Sequence, residues 1–202
     1  MRLWIAILFL LFAADAFGAD LDAASCRIAV ASKVCNGKTC KIATSWGSGT
    51  LIAPNRVLTC SHLFDDGGSS LTVYFAGKPY KALLIKRDKA ADLALLHVYD
   101  TNDGAPTYIA PTGWSNIFAE SDTLELTGFG SGDYKRIAGK FDRWSGAQPG
   151  RQSFVVTATS REGDSGGGVF DSTGRLIGVR WGYNGEVYVT AGVPLSEFLW
   201  GK

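Results

Sequence analysis

The sequence predicts an all-β protein made of two groups of about six strands, and three observations lead there. Glycine is abundant, at 25 of 202 residues, and methionine occurs once, a balance that favours many tight turns over long helices. Short segments rich in β-branched and aromatic residues recur between turn clusters, the pattern of antiparallel sandwiches and barrels. The stretch Thr101–Gly113 carries Asp103-Gly104, Pro106, Pro111 and Gly113 and reads as a linker, set at residues 106–115 between halves spanning 19–105 and 116–202.

The first element is a leader. Arg2 precedes an unbroken apolar run, Leu3–Ala14, and small residues follow at Ala16, Gly18 and Ala19, the layout of a secretory signal peptide over residues 1–18. Ala16-Phe17-Gly18 places cleavage after Gly18, with Ala16 and Ala19 as alternatives. The run has 12 residues, short of the roughly 20 a spanning helix needs, so a cleaved signal is favoured over an anchor. The expected destination is secreted or periplasmic, with no membrane attachment once the signal is removed.

Six strands are expected near Arg27–Ala31, Thr50–Ile52, Val57–Thr59, Leu71–Phe75, Ala82–Arg87 and Leu93–Val98. Turn signals part them at Asn36-Gly37, Pro54-Asn55, Asp65-Asp66-Gly67-Gly68 and Gly77-Lys78-Pro79. A second six follow near Thr123–Gly128, Lys135–Phe141, Ser153–Thr157, Gly168–Phe170, Leu176–Trp181 and Val187–Thr190. Pro194–Trp200 has proline early and then Leu-Ser-Glu-Phe-Leu, which predicts one short terminal helix.

Charge and cysteines narrow the function class. A net charge of +1 with 46% hydrophobic residues excludes a disordered chain, and it lacks the basic surplus of a protein that neutralises phosphates, so no nucleic-acid partner is expected. Cys26, Cys35, Cys40 and Cys60 all fall in the first third, and export permits disulfides. Cys35 and Cys40 bracket Asn36-Gly37-Lys38-Thr39, a turn that can bring them together, so that pairing is preferred among three possible connectivities. No Cys-x-x-Cys pair occurs, which disfavours a zinc cluster.

The sharpest local feature is Gly163-Asp164-Ser165-Gly166-Gly167-Gly168. A hydroxyl flanked by glycines sits well on a tight turn whose N–H groups converge, and converging N–H groups are what an oxyanion requires. A bland glycine turn is the competing reading. A serine hydroxyl also needs a base. His62 ends the segment Val57-Leu58-Thr59-Cys60-Ser61-His62, where a strand can hold it rigidly at a cleft. His97, the other histidine, lies inside the apolar strand Leu93–Val98 and reads as structural. Asp92 heads that strand, and an acid in so apolar a segment needs a hydrogen-bonded partner, which His62 would supply. Asp65 and Asp66 are closer to His62 in sequence, but their glycine-rich turn reads as exposed loop.

The order His62, Asp92, Ser165 is that of chymotrypsin-type proteases. The chain resembles the trypsin-like (chymotrypsin-fold) serine proteases through Gly47-Ser48-Gly49-Thr50-Leu51-Ile52, Leu58-Thr59-Cys60-Ser61-His62, Asp92-Leu93-Ala94-Leu95-Leu96, Gly163-Asp164-Ser165-Gly166-Gly167 and Leu176–Gly182. The resemblance implies two six-stranded antiparallel β-barrels with the site between them. It also implies an exported endopeptidase acting on polypeptides through an acyl-enzyme, without metal or organic cofactor. Ser165 would be the nucleophile, His62 the base and Asp92 its orienting group, with the N–H groups of Gly163 and Ser165 as oxyanion hole. Thr159 would lie at the base of the specificity pocket, Arg180, Trp181 and Gly182 along its wall, and Glu186 near its far side.

Three departures stand beside these matches. No Ile-Val-Gly-Gly type sequence precedes the first strand, so trypsin-style activation by a new N-terminus is not expected, and Asp164 needs another partner, with Arg161 and Arg180 as candidates. Cys60 precedes His62 where the family's disulfide cysteine follows it. Arg180 replaces a small serine that in many relatives touches the triad aspartate. The compact chain resembles bacterial exported members, and no PDZ-like extension is expected. A catalytically silent peptide- or protein-binding module on the same fold is the alternative. An esterase on another fold is disfavoured by its Ser…Asp…His order.

Overall fold

A computed structural model describes residues 20–99, 110, 122–145 and 153–201. The expected leader lies outside the described residues, as does the expected linker apart from Ala110, which is buried and donates its N–H to Leu51 O at 3.0 Å.

A short helix α1 (Asp20–Ala24), which the sequence reading did not anticipate, leads into the first six strands. These are β1 (Ser25–Asn36), β2 (Thr39–Ala53), β3 (Arg56–Thr59), β4 (Gly68–Phe75), β5 (Lys78–Asp88) and β6 (Leu93–Val98). They close into a barrel in the order β1-β2-β3-β6-β5-β4. The second six are β7 (Thr123–Gly128), β8 (Lys135–Ser145), β9 (Ser153–Thr157), β10 (Gly168–Phe170), β11 (Leu176–Tyr183) and β12 (Val187–Ala191). They close in the order β10-β11-β12-β9-β8-β7, and helix α2 (Gly192–Trp200) ends the chain. Every expected strand is present, and every ladder is antiparallel.

Closure matters physically because it leaves no row of unpaired backbone groups at a sheet edge. The largest departure from expectation is the length of β1 and β2, whose pairing runs out to Cys35↔Cys40 and Asn36↔Thr39 around a two-residue turn with Gly37 at φ 60°. The left-handed backbone at Gly37 is what so tight a hairpin turn demands. Cys35 and Cys40 are disulfide-bonded there, as the turn composition anticipated, and Cys26 and Cys60 are free and buried in the first barrel.

One core fills the first barrel, with Ile28, Leu58, Val73, Leu93 and Leu96 fully buried, and continues across the seam through Phe170, Leu176 and Val179 of the second. Helix α2 packs on the same cluster through Leu195 and Phe198, where burial of each side chain contributes about 1.5–3 kcal/mol. Lys86 Nζ hydrogen-bonds Phe198 O and lies 4.7 Å from that ring's centroid, so the last turn of the chain is tied back to β5. A second core fills the other barrel around Leu126, Phe154, Ile177 and Val189. No described helix is long and apolar enough to cross a membrane.

Candidate active site

Strand pairing brings His62 and Asp92 together. β3 runs antiparallel to β6 with Thr59 opposite Ala94, so the chain leaving β3 meets the chain entering β6, and Ser61 N–H donates to Asp92 O at 3.2 Å. His62 begins a single helical turn, His62–Phe64, whose Leu63 and Phe64 are buried. Asp92 is 4% exposed and adopts φ 53°, a left-handed conformation that aspartate tolerates better than most residues. Its carboxylate accepts two hydrogen bonds from one residue, His62 N–H to Oδ1 at 2.8 Å and Nδ1 to Oδ2 at 2.9 Å. The partner expected for a buried acid is thus in place, and it fixes the ring with Nε2 turned away from Asp92. Arg87 braces the turn, donating to Ser61 Oγ at 2.7 Å, Ser61 O at 2.9 Å and Phe64 O at 3.2 Å, and it also pairs with Asp65.

The second barrel supplies the glycine turn before β10. Glu162 O accepts Ser131 N–H at 2.9 Å, and Asp164 O accepts Gly167 N–H at 3.0 Å. In a trans peptide the N–H points opposite to the carbonyl, so the N–H groups of Gly163 and Ser165 face the other way. Among the described residues these two donate to no protein acceptor, whereas Asp164, Gly166 and Gly167 N–H are bonded to Arg161 O, Arg180 O and Asp164 O. Gly163 holds φ 92° and Gly166 φ 88°. A Cβ on Gly166 would overlap Ser48 O and Thr59 Oγ1 of the first barrel, so only glycine lets the two barrels meet here.

Asp164 is fully buried beneath that turn. Its Oδ1 accepts Gly130 N–H at 2.7 Å and its Oδ2 accepts Arg161 N–H at 2.8 Å. Both candidate cations reach it, Arg161 Nη2 at 3.3 Å and Arg180 Nη1 at 3.4 Å. Arg180 also donates to Thr127 O at 2.7 Å. Burial pushes its pKa down to about 10, partly offset by Asp164, so it stays cationic at neutral pH.

Ser48 joins the two halves. Its Oγ donates to Gly163 O at 2.7 Å and accepts Phe129 N–H at 2.8 Å, while its N–H donates to Ser165 O at 2.8 Å. In the sequence this residue stands inside the Gly47–Ile52 motif without a role, because a hydroxyl between two glycines does not reveal which distant backbone it will meet.

His62 and Ser165 border one cavity of about 500 Å³, with Gly163 at its edge. The imidazole has an unforeseen neighbour in the buried Cys60, whose Sγ lies 3.6 Å from Nε2. The hydrogen bond with Asp92 raises the His62 pKa first, and the contact with Cys60 raises it further, against the opposing effect of burial. Burial in turn raises the pKa of the Cys60 thiol, keeping it neutral.

The expected specificity residues divide. Thr159 is exposed, and Trp181 and Gly182 are half-buried on β11, with Trp181 packed on Tyr188 at 5.4 Å between centroids. None of the three borders the cavity. The placement of Arg180 along the pocket wall is corrected: its side chain is 1% exposed and turns inward, because the buried Asp164 carboxylate and Thr127 O draw it beneath the turn. Glu186 pairs with Arg143 at 2.7 Å. His97 lies on β6, hydrogen-bonds Arg56 and packs edge-on against Tyr99 at 4.7 Å, away from the cavity.

Two closed antiparallel barrels with this seam between them define the chymotrypsin-like architecture. The chain belongs to the trypsin-like peptidase domain family, whose profile matches residues 47–179. It is 28% identical over 147 residues to serine protease Rv3671c of Mycobacterium tuberculosis, which covers 67% of this chain and 36% of that protein. It is 29% identical over 149 residues to a probable periplasmic serine protease, do/HhoA-like, of Haemophilus influenzae, covering 66% of this chain and 30% of that one. The chain therefore spans about a third of the length of these relatives. Among solved structures, the active form of the Rv3671c protease from M. tuberculosis superposes with a TM-score of 0.72 at 20% identity over 89% of this chain and 80% of that one. The HtrA-type protease AlgW with a decapeptide superposes at 0.77 and 18% identity, covering 89% and 63%.

Proposed function

We propose that the protein is an exported serine endopeptidase in which Ser165 attacks the scissile carbonyl, His62 Nε2 takes and returns the proton, and Asp92 holds the imidazole. The observation that carries this reading is the doubly hydrogen-bonded His62–Asp92 pair opening onto the same cavity as Ser165. With Nδ1–H donated to Asp92, a neutral ring presents Nε2 as acceptor, the tautomer a base for a hydroxyl needs. The free N–H groups of Gly163 and Ser165 would bind the negative charge that develops on the carbonyl oxygen, and water would then release the acyl group from Ser165. The apolar leader and a probable periplasmic relative support export to a secreted or periplasmic location.

A second reading, a peptide-binding module without turnover, draws on one observation: Nε2 of His62 meets Cys60 Sγ, and among the described residues Ser165 Oγ has no hydrogen-bond partner. A fluorophosphonate probe separates the two. Labelling of the signal-free protein that is lost in Ser165→Ala and reduced by several orders of magnitude in His62→Ala is the expected result. Folded wild-type protein that takes up no probe overturns the endopeptidase reading in favour of the binding module.

A further inference from the structure

The cavity at Ser165 is lined by residues of both barrels. Beside His62 and Ser165 the first barrel contributes Leu63, Arg27 on β1 and Trp46 on β2, and the second contributes Phe129 and the turn that follows it. Thr159, Trp181 and Gly182, the side on which the family resemblance places the acyl part of a substrate, contribute nothing to its lining. A peptide crossing Ser165 would therefore send the residues beyond the scissile bond into this space.

Arg27 is an unusual wall for it. Its guanidinium carbon lies over the Trp46 ring, 3.7 Å from the ring centre, a cation–π contact that restrains the group. Among the described residues it forms no ion pair, and its Nε is buried without a hydrogen-bond partner. Two carboxylates also line the cavity, Asp66 and Glu162, and neither pairs with Arg27. Asp65, next in sequence, is held by Arg87 and Lys89 instead. Gly132 covers the guanidinium from the second barrel only loosely, since even a Cβ there would stop 3.8 Å from Nη2. Among the described residues the cleft thus holds a cation without an ion-pair partner, flanked by Trp46, Leu63 and Phe129.

Resting on the endopeptidase reading above, we infer that Arg27 is a specificity residue that binds a carboxylate of the leaving peptide, either an Asp or Glu side chain or the free C-terminus of a short leaving group. Asp66 and Glu162 repel a carboxylate from the rest of the cavity and so confine it to the Arg27 edge. Charge-assisted pairing to a planar, already restrained guanidinium costs little ordering and favours the bidentate approach.

The test compares matched peptides that carry Glu, Gln or Lys at each position after the scissile bond, and peptides ending in a free carboxylate or an amide. Fluorophosphonate titration counts competent sites in each variant, so that rates are expressed per folded site. Wild type should prefer one carboxylate-bearing peptide over its neutral counterpart by about tenfold in kcat/KM. The Glu/Gln comparison locates a side-chain source and the carboxylate/amide comparison a terminal one. In Arg27→Gln that preference should fall to near unity, and in Arg27→Glu it should turn toward Lys or the amide. An undiminished preference in Arg27→Gln, or labelled wild type with no carboxylate preference in either series, overturns the assignment to Arg27 while leaving the endopeptidase reading intact. Wild type that is never labelled overturns both.

Discussion

Arg180 and Asp164 form an ion pair wholly inside the protein, Nη1 to Oδ2 at 3.4 Å, with exposures of 1% and 0%. A carboxylate so buried costs several kcal/mol unless cations and N–H donors replace its water. Here the replacement is internal: Arg180 from β11, Arg161 from the preceding turn, and the backbone N–H groups of Gly130 and Arg161. Because Asp164 sits between Gly163 and Ser165, the pair also holds the backbone that carries their two N–H groups. The turn is therefore held by side chains of the second barrel itself.

Removing the guanidinium should loosen that turn. Arg180→Met leaves Asp164 with Arg161 and two backbone donors, and the expected destabilisation is about 2–4 kcal/mol, a fall in Tm of roughly 5–15 °C by calorimetry. Fluorophosphonate labelling should slow as the proposed oxyanion donors, the N–H groups of Gly163 and Ser165, lose their fixed direction. Combining Arg180→Met with Asp164→Asn removes both buried charges, so the double variant should be more stable than the sum of the single losses predicts. Strict additivity of the two losses would argue against a coupled pair.

Cys60 sets a prediction in the pH profile of activity. On the endopeptidase reading proposed above, His62 must be neutral to accept a proton, so the acid limb of kcat/KM would report its pKa in the free enzyme. Asp92 first and Cys60 second raise that pKa, which places the limb above the ordinary histidine value of about 6.5. Cys60→Ala removes the second cause and frees Nε2 to meet Ser165, so the limb should move to lower pH. A limb at the same pH in both proteins would show that the thiol does not bear on the imidazole.

How far the sequence reached depended on the range of the interaction. Strands were legible because alternation and turn chemistry are local, and the Cys35–Cys40 bridge was legible because its two-residue turn lies between the cysteines. His62 and Asp92 were legible through the cost of placing an acid at the head of an apolar strand, together with the order of the motifs. What stayed hidden was set by contacts across the barrels. Arg180 reads on a strand as a wall residue until Asp164 is known to lie beneath it, and Ser48 gains its role only from Gly163 and Phe129, some 115 and 81 residues away. Arg27 carries no motif at all, since its place in the cleft comes from its contact with Trp46 across the β1–β2 ladder.

The disulfide closes a loop of sequence separation 5 at the exposed tip of the β1–β2 hairpin, far along the strands from the buried core. So short a loop constrains the unfolded chain weakly, and the ladder behind it already holds the ends together. Reduction, or Cys35→Ser with Cys40→Ser, should cost at most about 2 kcal/mol in denaturant midpoint measurements and leave Ser165 labelling in place. A large loss of labelling would mean that the hairpin tip reaches the cleft.

The His62–Asp92 pair also makes stability depend on pH, with a sign fixed by the direction of the shift. The folded protein holds the His62 proton more tightly than the unfolded chain does, chiefly because Asp92 accepts from Nδ1. Between the unfolded value of about 6.5 and the raised folded value, the native state binds more protons, so stability falls as pH rises through that window. Below about pH 6.5 both states are protonated and the contribution is fully present. Asp92→Asn removes the main cause of the shift. The Tm advantage of wild type over Asp92→Asn should therefore be greatest near pH 5–6 and shrink steadily toward alkaline pH. A wild-type advantage that grows with rising pH would require a His62 pKa lowered by burial, against the hydrogen bonding seen at both of its ring nitrogens.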